Sequence, residues 1–258
     1  MKWSYSRVTT FAHCPYEFYL QYILQDDDLY LSENNYFAEV GSYVHEILAM
    51  IFEGKLSVED AGEYYINHFD DNVFYKTNPA WMKSTFENCA DYFATVTFDW
   101  LKDYEILGVE KKVEFELEGY KFVGYIDLLL RDKQDNKIVV VDNKSSAYPF
   151  KKNGEVYAKL KDKFESYKKQ MYLYSHAIKL MFNEFPKEIT WNHFKDGGKF
   201  ATIPFLEDEY RATLEWFKEN IHRIEQEEDY PANLEYFYCT NLCNFRHSCD
   251  QLVFADWR

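Results

Sequence analysis

The stretch that decides the fold is residues 122–144, which read FVGYIDLLLRDKQDNKIVVVDNK. Two apolar runs, each of a length typical of a buried strand, flank a polar turn at Asp132–Asn136. Asp127 closes the first apolar segment, Asp142 closes the second, and Lys144 follows two residues later. We therefore predict two neighbouring strands that each carry a carboxylate at the end.

The periodicity of the flanking sequence extends this pattern into a fold. Apolar residues at helical spacing predict helices at 4–25, 38–52, 58–69, 81–104, 164–182 and 207–227. Alternation with period two predicts strands at 109–117, 120–130, 137–141, 188–193 and 199–204, the last two as a hairpin. An acidic loop is predicted at 26–36. The order of these elements indicates an α/β or α+β core behind a helical N-terminal region.

Composition and charge narrow the class of protein. The chain has 258 residues, of which 47% are hydrophobic, a balance typical of a globular protein. No run approaches the eighteen apolar residues of a transmembrane helix, and the first residues lack the apolar core of a secretory signal. The net charge of −15 argues against a passive DNA-coating protein but is compatible with an enzyme that has a local basic groove.

The two strand-end carboxylates predict chemistry as well as structure. A buried carboxylate is costly unless it is paired, hydrogen-bonded or bound to a metal. Asp127 and Asp142 on neighbouring strands would lie close enough to share a Mg²⁺ ion. Lys144 would share a face with Asp142 and could orient a water molecule there, while Asn143 points away. The alternative is that the two aspartates are turn residues and that Lys144 is their salt-bridge partner.

Two helical patterns add candidate residues. His45 lies in a predicted helix, where an imidazole can be a metal ligand or an ordinary buried or surface side chain. Gln170 and Tyr174 have i, i+4 spacing, so one helix face presents both an amide and a phenol. That pair could hold a nucleotide or a phosphate, or it could belong to an ordinary amphipathic helix.

Five cysteines in a chain without a recognisable secretory signal argue against a disulfide framework. Cys239, Cys243 and Cys249 form a dense trio near the C-terminus, and Cys14 could supply a fourth thiolate. Four thiolates bind zinc or an iron–sulfur cluster, and such a site would clip the two ends of the chain together. His13 and His247 are alternative zinc ligands. Cys89 is predicted to be a buried core residue.

A basic segment lies between residues 144 and 169, where eight lysines face three acidic residues and give a local balance of +5. Lysines here could contact DNA phosphates. The aromatic residues among them could stack on unpaired bases, which predicts single-strand binding; they are Tyr148, Phe150, Tyr157 and Phe164. The alternative is a solvated loop.

Taken in order, six motifs resemble those of RecB-like nucleases with a cluster-binding cysteine, the iron–sulfur branch of the PD-(D/E)XK superfamily. That branch includes AddB nuclease domains and CRISPR-associated RecB-like exonucleases. The resemblance spans Ser4 to Cys249. The motifs are Ser4-x-Ser6-Arg7-x-x-x-Phe11-x-x-Cys14-Pro15-x-x-Phe18, Gly41-x-x-x-His45, Gly124-x-x-Asp127, Asp142-x-Lys144, Gln170-x-x-x-Tyr174 and the terminal cysteine trio.

This resemblance implies a restriction-endonuclease-like core, a mixed central sheet flanked by helices. It implies that Mg²⁺ or Mn²⁺ is bound by His45, Asp127, Asp142 and the carbonyl of Asn143, with Lys144 positioning the attacking water. Gln170 and Tyr174 would contact DNA, and Glu110 would add a nearby carboxylate. A 4Fe–4S cluster would be held by Cys14, Cys239, Cys243 and Cys249. Relatives usually have Cys-x2-Cys where this chain has Cys-x3-Cys, so zinc is the alternative occupant.

The implied organisation is one RecB-like nuclease domain over 1–258: a mainly helical region 1–105, a catalytic core 106–205 and a C-terminal helix with a cluster-binding tail 206–258. The implied activity is a metal-dependent DNA exonuclease that prefers single-stranded ends. The alternatives are a non-catalytic DNA-end-binding scaffold and an interaction module, acting with protein partners in a recombination, repair or CRISPR complex. We expect a cytoplasmic protein, microbial or virus-encoded, that does not bind a membrane.

Overall fold

The computed structural model describes residues 2–25, 36–74 and 77–254. The acidic loop predicted at 26–36 therefore lies almost entirely outside the described residues. No helix in the described part of the chain combines the length and hydrophobicity needed to cross a bilayer.

A five-stranded mixed sheet forms the centre of the molecule, with the strands side by side in chain order. The first three strands are antiparallel, the third and fourth are parallel, and the fifth is antiparallel to the fourth. The predicted mixed sheet is confirmed. The strands are β1 (Tyr104–Leu117), β2 (Tyr120–Asp132), β3 (Ile138–Lys144), β4 (Glu188–His193) and β5 (Lys199–Pro204).

Helices precede the sheet, connect its parallel strands and follow it. The parallel pairing of β3 with β4 requires a crossover, and the longest helix provides it. The helices are α1 (Tyr5–His13), α2 (Pro15–Phe18), α3 (Tyr36–Phe52), α4 (Ala61–Asn67), α5 (Phe69–Asn72), α6 (Pro79–Thr95), α7 (Lys161–Phe182), α8 (Glu207–Gln226) and α9 (Tyr236–Asn241).

Both faces of the sheet are covered, which explains the uninterrupted apolar run of β3. Ile138 and Val140 join the core formed with α1, α7 and α8. Val139 and Val141 join the core formed with α3, α4 and α6. The candidate site therefore lies where a sheet packed on both sides meets the helix α3.

Two predicted helices end earlier than their patterns indicate. The helix predicted at 4–25 is broken at Cys14, whose extended backbone separates α1 from α2, and residues 19–24 form a π-helix. The helix predicted at 81–104 ends at Thr95, where the β-branched residues Thr95, Val96 and Thr97 disfavour a further turn. Strand β1 consequently begins at Tyr104, five residues before the predicted start.

The prediction that Asp127 and Asp142 end their strands is wrong. Pairing with β4 continues β3 through Lys144, which stands opposite His193. Asp127 lies in the middle of β2, at a break in the side-chain alternation: Ile126 and Leu129, three residues apart, join the same core. The carboxylates are therefore held inside the sheet.

Candidate active site

Three potential metal ligands from three different elements converge beside the sheet. His45 on α3, Glu110 on β1 and Asp127 on β2 place one ligand atom each within 4.8 Å of one another. His45 Nδ1 lies 3.4 Å from Asp127 Oδ2 and 3.8 Å from Glu110 Oε1. The group is thus a cluster of one imidazole and two carboxylates.

The backbone of Asn143 fixes two of these ligands. Its N–H donates to Asp127 Oδ2 at 2.7 Å, and its carbonyl oxygen lies 3.0 Å from His45 Nε2. A carbonyl only accepts, so Nε2 carries a hydrogen in this contact, and Nδ1 faces the carboxylates of Asp127 and Glu110. The side chain of Asn143 points away, where Asn192 donates to it at 3.0 Å and also to the Tyr92 hydroxyl at 2.9 Å.

Lys144 is a partly buried ammonium with three contacts. Its Nζ lies 2.6 Å from Asp142 Oδ2, donates to Gln170 Oε1 at 2.9 Å and stands 4.8 Å above the ring of Tyr167. Burial alone would lower the pKa of Lys144, but Asp142 and Asp127 raise it above its ordinary value. The side chain is therefore a charged donor whose direction is fixed before any substrate arrives.

The carboxylates of the site are destabilised by burial. Burial raises the pKa of Asp142 to about 6 against the opposing effect of Lys144, and it raises the pKa of Asp127 against His45 and Lys144. Burial lowers the pKa of His45, but Glu110 and the two aspartates outweigh it and raise that pKa. The group accumulates negative charge that a cation would relieve. Carboxylate oxygens together with an imidazole form a donor set that can hold a divalent metal ion.

Gln170 and Tyr174 line the site from α7, but neither is a freely exposed side chain. Gln170 accepts from Lys144, and Tyr174 is only 6% exposed. Burial raises the pKa of the Tyr174 phenol. Tyr174 packs on Gly124, where an added Cβ would lie 2.8 Å from its Cζ and 2.9 Å from its hydroxyl oxygen. The Gly124-x-x-Asp127 motif therefore makes room for α7 against β2.

Glu110 is a ligand candidate whose placement the sequence does not reveal. Its neighbours Val109 and Lys111 pair with Leu128 and Ile126, which puts Glu110 opposite Asp127. Its φ of +43° is in the left-handed region, a strained conformation for a residue with a side chain. The family resemblance predicted Glu110 only as a nearby carboxylate, and the alternation of apolar and polar residues in β1 does not mark it as a ligand. Nothing in the sequence indicated that Tyr167 and Asn192 contact the site.

A second cluster, of cysteine side chains, lies where the N-terminal helices meet the C-terminal tail. The four predicted cysteines line one cavity between α2 and the C-terminal tail, together with Glu17 and Tyr238. Burial raises the pKa of the Cys239, Cys243 and Cys249 thiols. Cys89 lies elsewhere, fully buried in the core around α3, α4 and α6.

Polar contacts attach the tail to the N-terminal helices around this cavity. The backbone N–H of Asn233 lies 3.4 Å from Cys14 Sγ. The side-chain amide of Asn233 donates to the His13 carbonyl at 2.9 Å. Tyr238 donates to the buried carboxylate of Glu17 at 3.0 Å. The cavity therefore joins residues more than 200 positions apart in the chain.

The structure separates the lysine-rich segment into different environments. Lys151 pairs with Glu155, and Lys168 pairs with Glu165 and Glu209. The remaining lysines with exposed side chains are Lys152, Lys159, Lys161 and Lys163.

The aromatic residues of that segment serve mainly to pack it. Phe164 is buried against Trp191, Phe150 packs on Phe164, and Tyr148 packs on Phe150. Only Tyr157 among the four is largely exposed, at 44%. The prediction that four interleaved aromatic residues form a stacking surface is therefore wrong for Phe164, whereas Tyr148 and Phe150 are half-buried.

Comparisons with known proteins identify the family and the fold of the chain. The sequence profile of the PD-(D/E)XK nuclease superfamily matches residues 2–250. The fold resembles that of a presumed exonuclease from Eubacterium rectale, with a TM-score of 0.51 and 14% identity over 87% of this chain and 80% of the other. A structure of SSO0001 matches with a TM-score of 0.32 and 14% identity over 80% and 84% of the two chains, too distant for argument. No curated protein matches the chain significantly.

The chain belongs to the PD-(D/E)XK nuclease superfamily, since the profile covers nearly all of its length. Members of this superfamily are nucleases that use divalent metal ions. The α/β fold with a restriction-endonuclease-like core is thereby confirmed.

The packing of Tyr174 on Gly124 leads to a stability prediction. We expect Gly124→Ala to lower the free energy of unfolding by about 1–3 kcal/mol, because the new methyl group would overlap the Tyr174 ring. Thermal and denaturant unfolding measure the change. Gly62→Ala is the matched control, since a Cβ there meets Ala94 at an ordinary distance of 3.6 Å. An unchanged stability of Gly124→Ala would contradict the packing described for α7.

Proposed function

We propose that this nuclease is a Mg²⁺- or Mn²⁺-dependent DNA exonuclease that prefers single-stranded ends. The observation that carries the proposal is the convergence of His45, Glu110 and Asp127 beside the ion pair of Asp142 and Lys144. Structural salt bridges do not require two further carboxylates and an imidazole at the same place. The surplus of buried negative charge supports a site for a cation.

Each side chain has a role that follows from its position. His45, Glu110, Asp127 and Asp142 would hold the cation, with the Asn143 carbonyl as a further ligand. The cation, when bound, supplies positive charge to the scissile phosphate and makes water a better nucleophile. Lys144, held by Asp142 and Gln170, orients the attacking water or contacts the phosphate.

The substrate contacts are supported by charge. The exposed lysines that precede and begin α7 provide phosphate contacts in a protein whose net charge is −15. In this proposal Gln170 and Tyr174 contact the DNA strand from the same helix. Tyr157 is the exposed aromatic residue of this segment that can meet an unpaired base.

A non-catalytic scaffold is the less favoured alternative. Such a protein would have no chemical reason to gather an imidazole, three carboxylates and a lysine around one point, because burying Asp127 and Asp142 costs stability. We propose that the nuclease acts in the cytoplasm, with protein partners in a recombination, repair or CRISPR complex.

We further propose that Cys14, Cys239, Cys243 and Cys249 hold a 4Fe–4S cluster with a structural role. The support for this proposal is that all four cysteines line one cavity between α2 and the C-terminal tail, and four thiolates are the ligands of such a cluster. Closing the tail over α1 and α2 supports one nuclease domain over residues 1–258.

The catalytic proposal predicts the loss of cleavage in two variants. Asp142→Asn and Lys144→Ala should each reduce the rate of DNA cleavage about 100-fold or more, because the first removes a carboxylate that would hold the cation and the second removes the charged donor beside the reacting phosphate. The measurement is release of nucleotides from an end-labelled single strand in Mg²⁺ and Mn²⁺, with chelator as the blank.

Asp132→Asn is the matched control for these variants. Asp132 is a carboxylate at the end of β2 that pairs with Lys187, away from the site. This variant should keep wild-type cleavage. Cleavage that persists in a rigorously purified Asp142→Asn protein would falsify the assignment, and binding without cleavage in the wild type would favour the scaffold.

The cluster proposal predicts a coupled loss of metal and stability. Cys→Ser replacement at any of the four positions should remove iron and sulfide and lower the melting temperature, because metal binding contributes to folding. The control is Cys89→Ser, which should retain its iron. Analysis of iron, sulfide and zinc per anaerobically purified chain measures this. One zinc without sulfide would refute the cluster, and full metal retention in Cys14→Ser would refute the link between the chain ends.

A further inference from the structure

Helix α3 presents an open face that leads into the candidate active site. Phe37, Gly41 and His45 recur at intervals of four residues, so they lie along one side of the helix. Phe37 and Gly41 line the same surface pocket as His45 and Glu110. Eight residues of helix place Phe37 about 12 Å from His45 along the axis. A ligand bound at the metal cluster can therefore extend along this face.

Packing does not require the glycine at position 41. A Cβ added to Gly41 meets nothing within 4 Å, and its φ is not in the left-handed region. Gly62 in α4 differs, because a Cβ there would contact the backbone of Ala94. A glycine inside a helix destabilises it relative to alanine. Gly41 thus costs helix stability and leaves a bare strip of backbone beside the site.

An aromatic and basic surface lies at the far end of this strip. The rings of Phe37 and Trp81 are 6.2 Å apart, and Trp81 is 44% exposed although tryptophan is normally well buried. Lys195 Nζ lies 5.2 Å from the Phe37 ring and donates to the Thr85 hydroxyl at 3.3 Å.

Positive charge is not neutralised at this surface. No carboxylate lies within 4.0 Å of Lys195 Nζ in the part of the chain that the structure describes. Burial lowers the pKa of Lys195, and the nearby charge of Lys163 adds to that effect. An anionic ligand at this surface would stabilise the charged form of Lys195.

We propose that the α3 face of Phe37, Gly41 and His45 is a track for one DNA strand, and that an unpaired nucleobase stacks on Trp81 while Lys195 binds a phosphate. Phe37 supports the indole from behind, and Gly41 lets the strand approach the helix backbone. This inference rests on the proposed nuclease function and assigns the surface that selects single-stranded substrate. An exposed ring beside a cation is the combination with which proteins bind unpaired bases.

The test measures DNA affinity without turnover. Fluorescence anisotropy of a labelled single-stranded oligonucleotide is recorded in Mg²⁺ with the Asp142→Asn protein as the parent. Adding Trp81→Ala should weaken binding about 10-fold or more, whereas Trp81→Phe should retain most of the affinity. An oligonucleotide with one abasic position near its end should bind the parent as weakly, and Trp81→Ala should lower its affinity no further.

Gly41→Ala separates a substrate role from a structural one. This variant should raise the melting temperature, because alanine favours the helix, and yet weaken DNA binding. The controls are Gly62→Ala and Phe200→Ala, the latter an exposed aromatic residue on β5. Neither should change DNA affinity.

The outcomes distinguish this inference from the proposed function. If the wild type cleaves single strands while Trp81→Ala and Gly41→Ala leave affinity within twofold of the parent, the track is overturned and the nuclease proposal stands. If the wild type neither binds nor cleaves DNA in Mg²⁺ or Mn²⁺, both fail. Equal loss of affinity for intact and abasic DNA in Trp81→Ala would overturn base stacking.

Discussion

One hydrogen bond connects the fold to the chemistry: the Asn143 N–H donates to Asp127 across the junction of β2 and β3. Asp127 lies in the middle of a strand, where an unpaired carboxylate would cost several kcal/mol. The same peptide presents its carbonyl to His45, so one residue of β3 positions ligands from β2 and α3. The ligand geometry therefore depends on the register of the sheet, which both covering layers of helices hold in place.

The types of residue in the sequence predicted more of the candidate site than the spacing of its apolar residues did. Asp127, Asp142 and Lys144 stand out because charged residues interrupt apolar runs, and burial on both faces of a sheet makes such interruptions rare. The structure brings them together with His45, on a helix far away in the chain. Glu110 was predicted only as a nearby carboxylate, because a left-handed residue within a strand leaves no mark on the amino-acid pattern.

The fold was predicted to the level of its sheet and main helices, but not at its boundaries. Tertiary pairing decides where β3 ends, because β4 continues the ladder to Lys144. Local propensity decides where α6 ends. The helix stops at Thr95, at the start of three β-branched residues that the helical spacing of apolar residues had placed inside the predicted helix. The shared cysteine cavity could be predicted from Cys14 and the C-terminal trio, because four thiols at the two ends of a chain indicate one common metal site.

The central claim is that the buried carboxylates exist to hold a divalent cation. Crystals grown with Mn²⁺ and measured at the manganese absorption edge test it directly. The account predicts one strong anomalous peak in contact with His45, Asp127 and Asp142, and its loss in Asp127→Asn. A map without a peak there, with Lys144 still paired to Asp142, would contradict it.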